Sequence, residues 1–165
     1  MHKIIIFGNS GSGKTTLAKQ LSSSHLLPHF DLDVIAWQPT TPPLRMPIAE
    51  SEKKLDNFLE KNTAWIIEGC YADLLELAIP HANQIIFLNL PIETCVENAR
   101  KRPWEPHKYQ TPEAQDENLA MLVDWIKQYD QRTDTFSKAA HEALFDGYSG
   151  KKIMYTSNNH KHLIE

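Results

Sequence analysis

Apolar residues fall into two patterns along the chain. The first is the short unbroken run: Ile4-Ile5-Ile6-Phe7, Trp65-Ile66-Ile67 and Ile85-Ile86-Phe87-Leu88. Such runs, rich in β-branched residues and closed by glycine or proline, predict strands covered on both faces. They place strands at residues 3–7, 64–68 and 84–90, with further short ones at 29–33 and 152–156. The second pattern is helical spacing. Leu17, Ala18 and Leu21 mark a helix over 14–23; Leu55, Phe58 and Leu59 mark another over 48–60. Leu119, Leu122, Val123 and Ile126 form the stripe of a long helix over 113–131. Shorter helices are expected at 71–78, at 91–102 between Pro91 and Pro103, and at 134–145. Strand and helix alternate, so the expectation is an α/β chain with a mostly parallel sheet between helical layers.

Composition narrows the class. A length of 165 residues, 41% of them hydrophobic, suits one compact domain. No apolar run approaches the length of a membrane span, and Met1-His2-Lys3 leads straight into a strand without a secretory leader. Two cysteines, Cys70 and Cys95, fit a reduced cytoplasmic protein better than a disulfide scaffold. The net charge of −4 argues against stable nucleic-acid binding, which usually needs a basic face. Arg100-Lys101-Arg102 is the one dense basic cluster, large enough to meet a nucleotide. Of the ten prolines, most sit near 39–47 and 103–112, marking two loop excursions within one domain.

The chemistry begins after the first strand. Gly8-Asn9-Ser10-Gly11-Ser12-Gly13-Lys14-Thr15 matches the phosphate-loop pattern G-x-x-x-x-G-K-[ST], with Thr16 opening the helix. At average residue usage a chance match has odds of roughly 0.6% in a chain this long, and the flanking strand and helix lower them further. Glycines let successive backbone N–H groups approach phosphate oxygens, and the helix N-terminus adds a positive end. Lys14 can reach the β- and γ-phosphates, and the Thr15 hydroxyl can coordinate Mg²⁺. No N-K-x-D stretch reads a guanine, so ATP is the default nucleotide. An Asp31-x-Asp33 pair after the second strand, an insertion behind it and a basic helix leading to a loop suggest a small-molecule kinase.

The stretches GNSGSGKTTLAKQL, FDLDVIAW, WIIEGCY, IIFLNLP and ARKRPWEPHKY together resemble the adenylate kinase/shikimate kinase-like group of P-loop kinases over nearly the whole chain. Within it, they resemble the bacterial proteins described as DNA topology modulation protein-like. The resemblance implies a three-layer fold with a five-stranded parallel sheet in order 2-3-1-4-5. It also implies an acceptor-binding insertion near 34–62 and a lid region near 103–133. Asp33 matches the acidic residue that touches the acceptor hydroxyl, where it would orient that group or weakly deprotonate it. Asp31 either holds Mg²⁺ through water or makes a strand-end hydrogen bond. Glu68 fills the acidic position near Mg²⁺ with a longer side chain than the family pattern.

Arg100 and Arg102 resemble lid-base arginines that meet adenine or phosphate, the choice between them staying open. Arg132, beyond the long helix, either closes onto the phosphates or is a surface charge. Trp37, Arg45, Gly69 and Tyr71 are expected around the acceptor. Glu68-Gly69-Cys70-Tyr71 departs from the family's Asp-Gly-x-Pro-Arg, so the arginine that would grip an acceptor phosphate is missing. It also lacks the triple glycine of shikimate kinase. Cys70 and Trp65 read as packing residues, and His107 and His141 are not spaced as a metal pair. The expectation is a cytoplasmic phosphotransferase, monomer or homodimer, using ATP and Mg²⁺ on a hydroxylated small molecule. A nucleotide-binding regulatory or DNA-associated protein is the alternative.

Overall fold

The computed structural model describes residues 1–159. Five strands form one all-parallel sheet: β1 (Lys3–Gly8), β2 (His29–Asp31), β3 (Trp65–Gly69), β4 (Gln84–Leu88) and β5 (Lys151–Tyr155), in the order β2-β3-β1-β4-β5. Seven α-helices accompany them among the described residues: α1 (Lys14–His25), α2 (Asp33–Ala36), α3 (Ile48–Lys61), α4 (Ala72–Ala78), α5 (Ile92–Lys101), α6 (Pro112–Lys127) and α7 (Lys138–Gly147). The architecture is the three-layer α/β fold of P-loop NTPases.

The unbroken apolar runs are explained by the two faces of the sheet. Ile4 and Ile6 of β1 join Leu17, Leu21, Val96, Val123 and Ile126 on the side of α1, α5 and α6. The intervening Ile5 and Phe7 join Leu55, Leu74, Leu75 and Phe87 on the other. Alternate residues of one strand thus serve different cores, so the three central strands β1, β3 and β4 are apolar nearly throughout, while the edge strands β2 and β5 are not. Trp65 is fully buried in the second cluster, as a packing residue should be.

The structure departs from the sequence expectation at some boundaries, each for a local reason. The second strand stops at Asp31 rather than Asp33, because the Asp31 carboxylate accepts the backbone N–H of Asp33 at 2.9 Å and turns the chain. Asp33 therefore opens the short helix α2. The seventh helix starts at Lys138 rather than 134: Ser137 caps it through Ala140 N–H, while Asp134 binds the Phe136 N–H in a turn. Thr111 caps α6, with Pro112 in its first turn. These caps set where the functional segments point.

Candidate functional site

The loop joining β1 to α1 is shaped by backbone that only glycine tolerates. Gly11 has φ +79° and Gly13 φ +92°. A Cβ on Gly11 would stand 2.3 Å from the Cys95 carbonyl oxygen of α5. Asn9 is buried and donates to the Ile126 carbonyl at 3.3 Å, fixing the loop to α6. The Lys14 ammonium donates to the Asn9 carbonyl at 2.7 Å, tying it to the loop's own backbone. Ser12 Oγ is buried and has no hydrogen-bond partner among the described residues, a polar atom that a phosphate oxygen would satisfy. Ser10 is half-buried, and Thr16 is exposed in the first turn of α1.

Acidic groups gather at the carboxyl ends of β2 and β3. Thr15 Oγ1 donates to Glu68 Oε1 at 2.8 Å; Glu68 is buried, and His29 Nε2 lies 3.3 Å from the same oxygen. Asp31 pairs in register with Glu68 on the neighbouring strand. Burial, then the Glu68 and Asp33 carboxylates, push Asp31 up to about 6. Among the described residues no three His, Cys, Asp or Glu side chains form a metal-binding cluster. Even so, the Thr15 hydroxyl and these carboxylates are the hard oxygen donors that suit Mg²⁺, which keeps much of its water and leans on substrate phosphates. A cation here would also relieve the carboxylate crowding.

That crowding carries a stability prediction. Asp31 is protonated more readily folded than unfolded, so its favourable contribution is complete below about pH 3.8 and is lost as pH rises through about 6. Asp31→Asn should therefore stabilise the protein at pH 8, on the order of 2 kcal/mol, with the gain shrinking toward zero near pH 4. Urea unfolding of both proteins across that range measures the difference. A destabilised variant at pH 8 would contradict the crowding.

Asp33 faces a different set of partners. Lys108, from the segment between α5 and α6, places its ammonium 2.8 Å from Asp33 Oδ2, 3.8 Å from Asp31 and 3.5 Å from Glu105. The Tyr71 hydroxyl donates to Asp33 Oδ1 and accepts from Trp37 Nε1 at 2.8 Å. Burial alone would raise the Asp33 carboxyl. The Lys108 ammonium and the hydrogen bonds from Lys108 and Tyr71 outweigh it, holding Asp33 below the usual carboxylate range. Arg45 bridges to Trp37 across a small antiparallel contact and lies 5.0 Å over the Tyr71 ring. Both oxygens of Asp73 take its guanidinium at 3.0 Å. Gly69 admits the Leu32 side chain, which a Cβ would approach at 2.9 Å.

The arginines are all spoken for or outside this cluster. Arg102 pairs with Glu105 at 3.2 Å, while Arg100 is exposed on the last turn of α5. Arg132 is clamped by Asp134 at 2.9 Å and stacked with its Cζ 3.4 Å from the Trp125 ring centroid. Its inner Nη1 is buried and has no hydrogen-bond partner among the described residues.

Three features of the site were not read from the sequence. Lys108 belongs to the quoted ARKRPWEPHKY stretch, but nothing local ties it to Asp33. Asn98 and Asn158 bind the back of the phosphate loop, and isolated asparagines carry no motif signal. His141 is fully buried, donating from Nε2 to the Cys70 carbonyl at 2.8 Å and accepting the Tyr129 hydroxyl at Nδ1 at 2.7 Å. Burial lowers its pKa to about 4, so it is a neutral strut between α7 and the β3–α4 turn. Desolvation pushes the neighbouring Cys70 thiol up to about 12, which suits packing rather than nucleophilic chemistry.

Fold and loop together define a P-loop NTPase. The AAA domain family model matches residues 4–124, and the chain belongs to that family. Solved structures share the fold. A Thermus thermophilus protein, TT1252, superposes with a TM-score of 0.52 at 14% identity, over 96% of this chain and 91% of that one. A Janibacter sp. HTCC2649 protein described as a sugar kinase gives 0.50 at 13% identity, over 94% and 85%. No curated protein sequence matches the chain. Among the described residues no helix is long and apolar enough to cross a membrane.

Proposed function

We propose that the protein is an ATP-dependent phosphotransferase acting on a hydroxyl of a small molecule that carries no phosphate of its own. One observation carries the reading: the Asp33 carboxylate, gripped by Lys108 and Tyr71, follows β2, the strand beside β3, whose Glu68 takes the Thr15 hydroxyl next to the phosphate loop. In this reading the loop seats the triphosphate and Lys14 neutralises charge on the transferred group. Thr15, with Glu68 and Asp31 behind it, would hold Mg²⁺, which would supply stabilisation of the negative charge on the phosphates.

Asp33 accepts a hydrogen bond from the acceptor hydroxyl and aims its oxygen at the γ-phosphorus. The new P–O bond forms as the bond to the β-phosphate oxygen breaks; ADP leaves and the hydroxyl proton passes to Asp33 or to water. Trp37, Tyr71, Arg45 and Gly69 line the acceptor side. Residues 34–62 serve as the acceptor-binding insertion and 103–133 as a lid, with Arg100 or Arg102 at its base meeting the nucleotide. An acceptor phosphate is disfavoured because Arg45 already holds the Asp73 carboxylate on two bonds and Arg132 the Asp134 carboxylate on three.

The test is ADP release with ATP and Mg²⁺ against a panel of sugars, polyols, nucleosides and amino alcohols. Sugars come first, given the Janibacter protein's description. At least one class should raise turnover by about tenfold or more above basal hydrolysis, the scale of one positioned catalytic contact. A flat panel, or stimulation only by DNA, would count against the reading.

A further inference from the structure

Behind the phosphate loop lies a relay of two side-chain amides that the proposed reaction does not use directly. Asn98, on α5, donates from Nδ2 to the Gly11 carbonyl at 2.8 Å and to Asn158 Oδ1 at 2.9 Å. Asn158, in the segment after β5, donates from its own Nδ2 to the Ser12 carbonyl at 3.0 Å. The orientation of both amides is forced. Backbone carbonyls only accept, so each amide must present its nitrogen to the loop, and the Asn98–Asn158 bond then runs from Nδ2 to Oδ1.

We propose that Asn98 and Asn158 are positioning residues for phosphate binding: they hold the Gly11 and Ser12 carbonyls outward so that the loop can offer N–H groups to a phosphate. The inference rests on the nucleotide reading above and extends it to residues outside the motif. A trans peptide carries its C=O and N–H on opposite sides. With the Ser12 carbonyl fixed on Asn158, the Gly13 N–H points away from Asn158. With the Gly11 carbonyl fixed on Asn98, the Ser12 N–H points away from α5, where it donates to the Asn9 carbonyl at 3.2 Å and closes the loop. The Ser12 N–H thus braces the loop while the Gly13 N–H is turned toward an anion, and an anion-binding concavity needs the carbonyl dipoles turned aside in this way.

A second observation agrees. The loop glycines are the places where these outside elements come close. A Cβ on Gly13 would lie 2.9 Å from Asn158 Nδ2, and one on Gly11 would collide with α5 at Cys95, one turn from Asn98. Glycine at these positions thus admits the clamp as well as the backbone angles. The relay commits both protons of Asn98 Nδ2 and engages the oxygen and the nitrogen of Asn158, which leaves little of either amide to read a base.

The experiment measures binding by calorimetry, with Mg²⁺, of ADP, inorganic tripolyphosphate and adenosine to wild type, Asn98→Ala and Asn158→Ala. Each variant should bind ADP and tripolyphosphate about tenfold more weakly, the loss of one well-made hydrogen bond, with adenosine binding and melting temperature unchanged. Asn158 is exposed, so Asn158→Ala keeps the test open even if Asn98→Ala folds poorly. Unchanged ADP affinity overturns the proposal. So does weaker ADP binding with tripolyphosphate untouched, which makes the asparagines base readers. An equal loss for all three ligands assigns them to general stability and overturns it too. If wild type binds neither ADP nor tripolyphosphate, the nucleotide reading itself fails.

Discussion

Lys14→Ala should lower ATP turnover by at least about 100-fold, the scale seen when one group stabilising transition-state charge is removed. The reason is positional. Lys14 stands at the first residue of α1, where the helix N-terminus and the loop meet. Its ammonium is hydrogen-bonded to the Asn9 carbonyl of the loop itself. It contributes nothing to either apolar core. Truncation therefore removes a charge from the phosphate seat while leaving packing alone, and thermal unfolding should move by no more than an ordinary surface substitution would, about 0.5 kcal/mol. Two measurements decide it: initial rates of ADP release and a melting curve. Undiminished turnover in a folded variant would remove the donor-site assignment, because Lys14 is the cation that the loop pattern itself places at the phosphates.

Asp33→Asn has the second large expected effect, and it should fall on the acceptor alone. Acceptor-stimulated turnover should drop by about 10²–10⁴, while ADP affinity and basal hydrolysis stay near wild type. The amide oxygen of the variant could still accept the Tyr71 hydroxyl, but the substitution would remove the charge that Lys108 grips at 2.8 Å. Lys108→Met supplies the companion measurement. Lys108 opposes the effect of burial on Asp33, so its removal raises the Asp33 pKa. In the proposed reaction Asp33 receives the acceptor in its ionised form, so activity is expected above its pKa and lost below it. The acid limb of the pH–rate profile should therefore shift to higher pH in Lys108→Met. An unshifted limb would separate Lys108 from the acceptor chemistry.

The two halves of the candidate site were legible to different degrees. The loop from Gly8 to Thr16 is contiguous, and its glycines, lysine and hydroxyl announce themselves in order, because a phosphate cradle is built from neighbouring backbone N–H groups. The proposed acceptor side is assembled from Asp33, Tyr71 and Lys108: parallel strands deliver the segments after β2 and β3 to the carboxyl end of the sheet, and the segment between α5 and α6 brings Lys108 to Asp33. Asp33 and Tyr71 stood out by resemblance, but Lys108 did not. The arginines show the same limit. Sequence placed Arg132 either at the phosphates or at the surface; the fold holds it against Trp125 with Asp134, two residues on. Asp31 offered a metal role or a strand-end hydrogen bond. The structure contains the hydrogen bond to Asp33 N–H and also sets the carboxylate beside Glu68.

What the sequence by itself determined is the set of strands, the burial of the three central ones on both faces and the phosphate-loop pattern between the first strand and helix. These follow from apolar periodicity and from short-range backbone constraints, which act over a few residues and survive in any context. Tertiary structure decided the partners: Lys108 on Asp33, Glu68 under Thr15, and Asn98 and Asn158 behind Gly11 and Ser12. Those pairings join residues far apart in the chain, and a long-range hydrogen bond or ion pair leaves no spacing to read. It exists only once packing has fixed both ends.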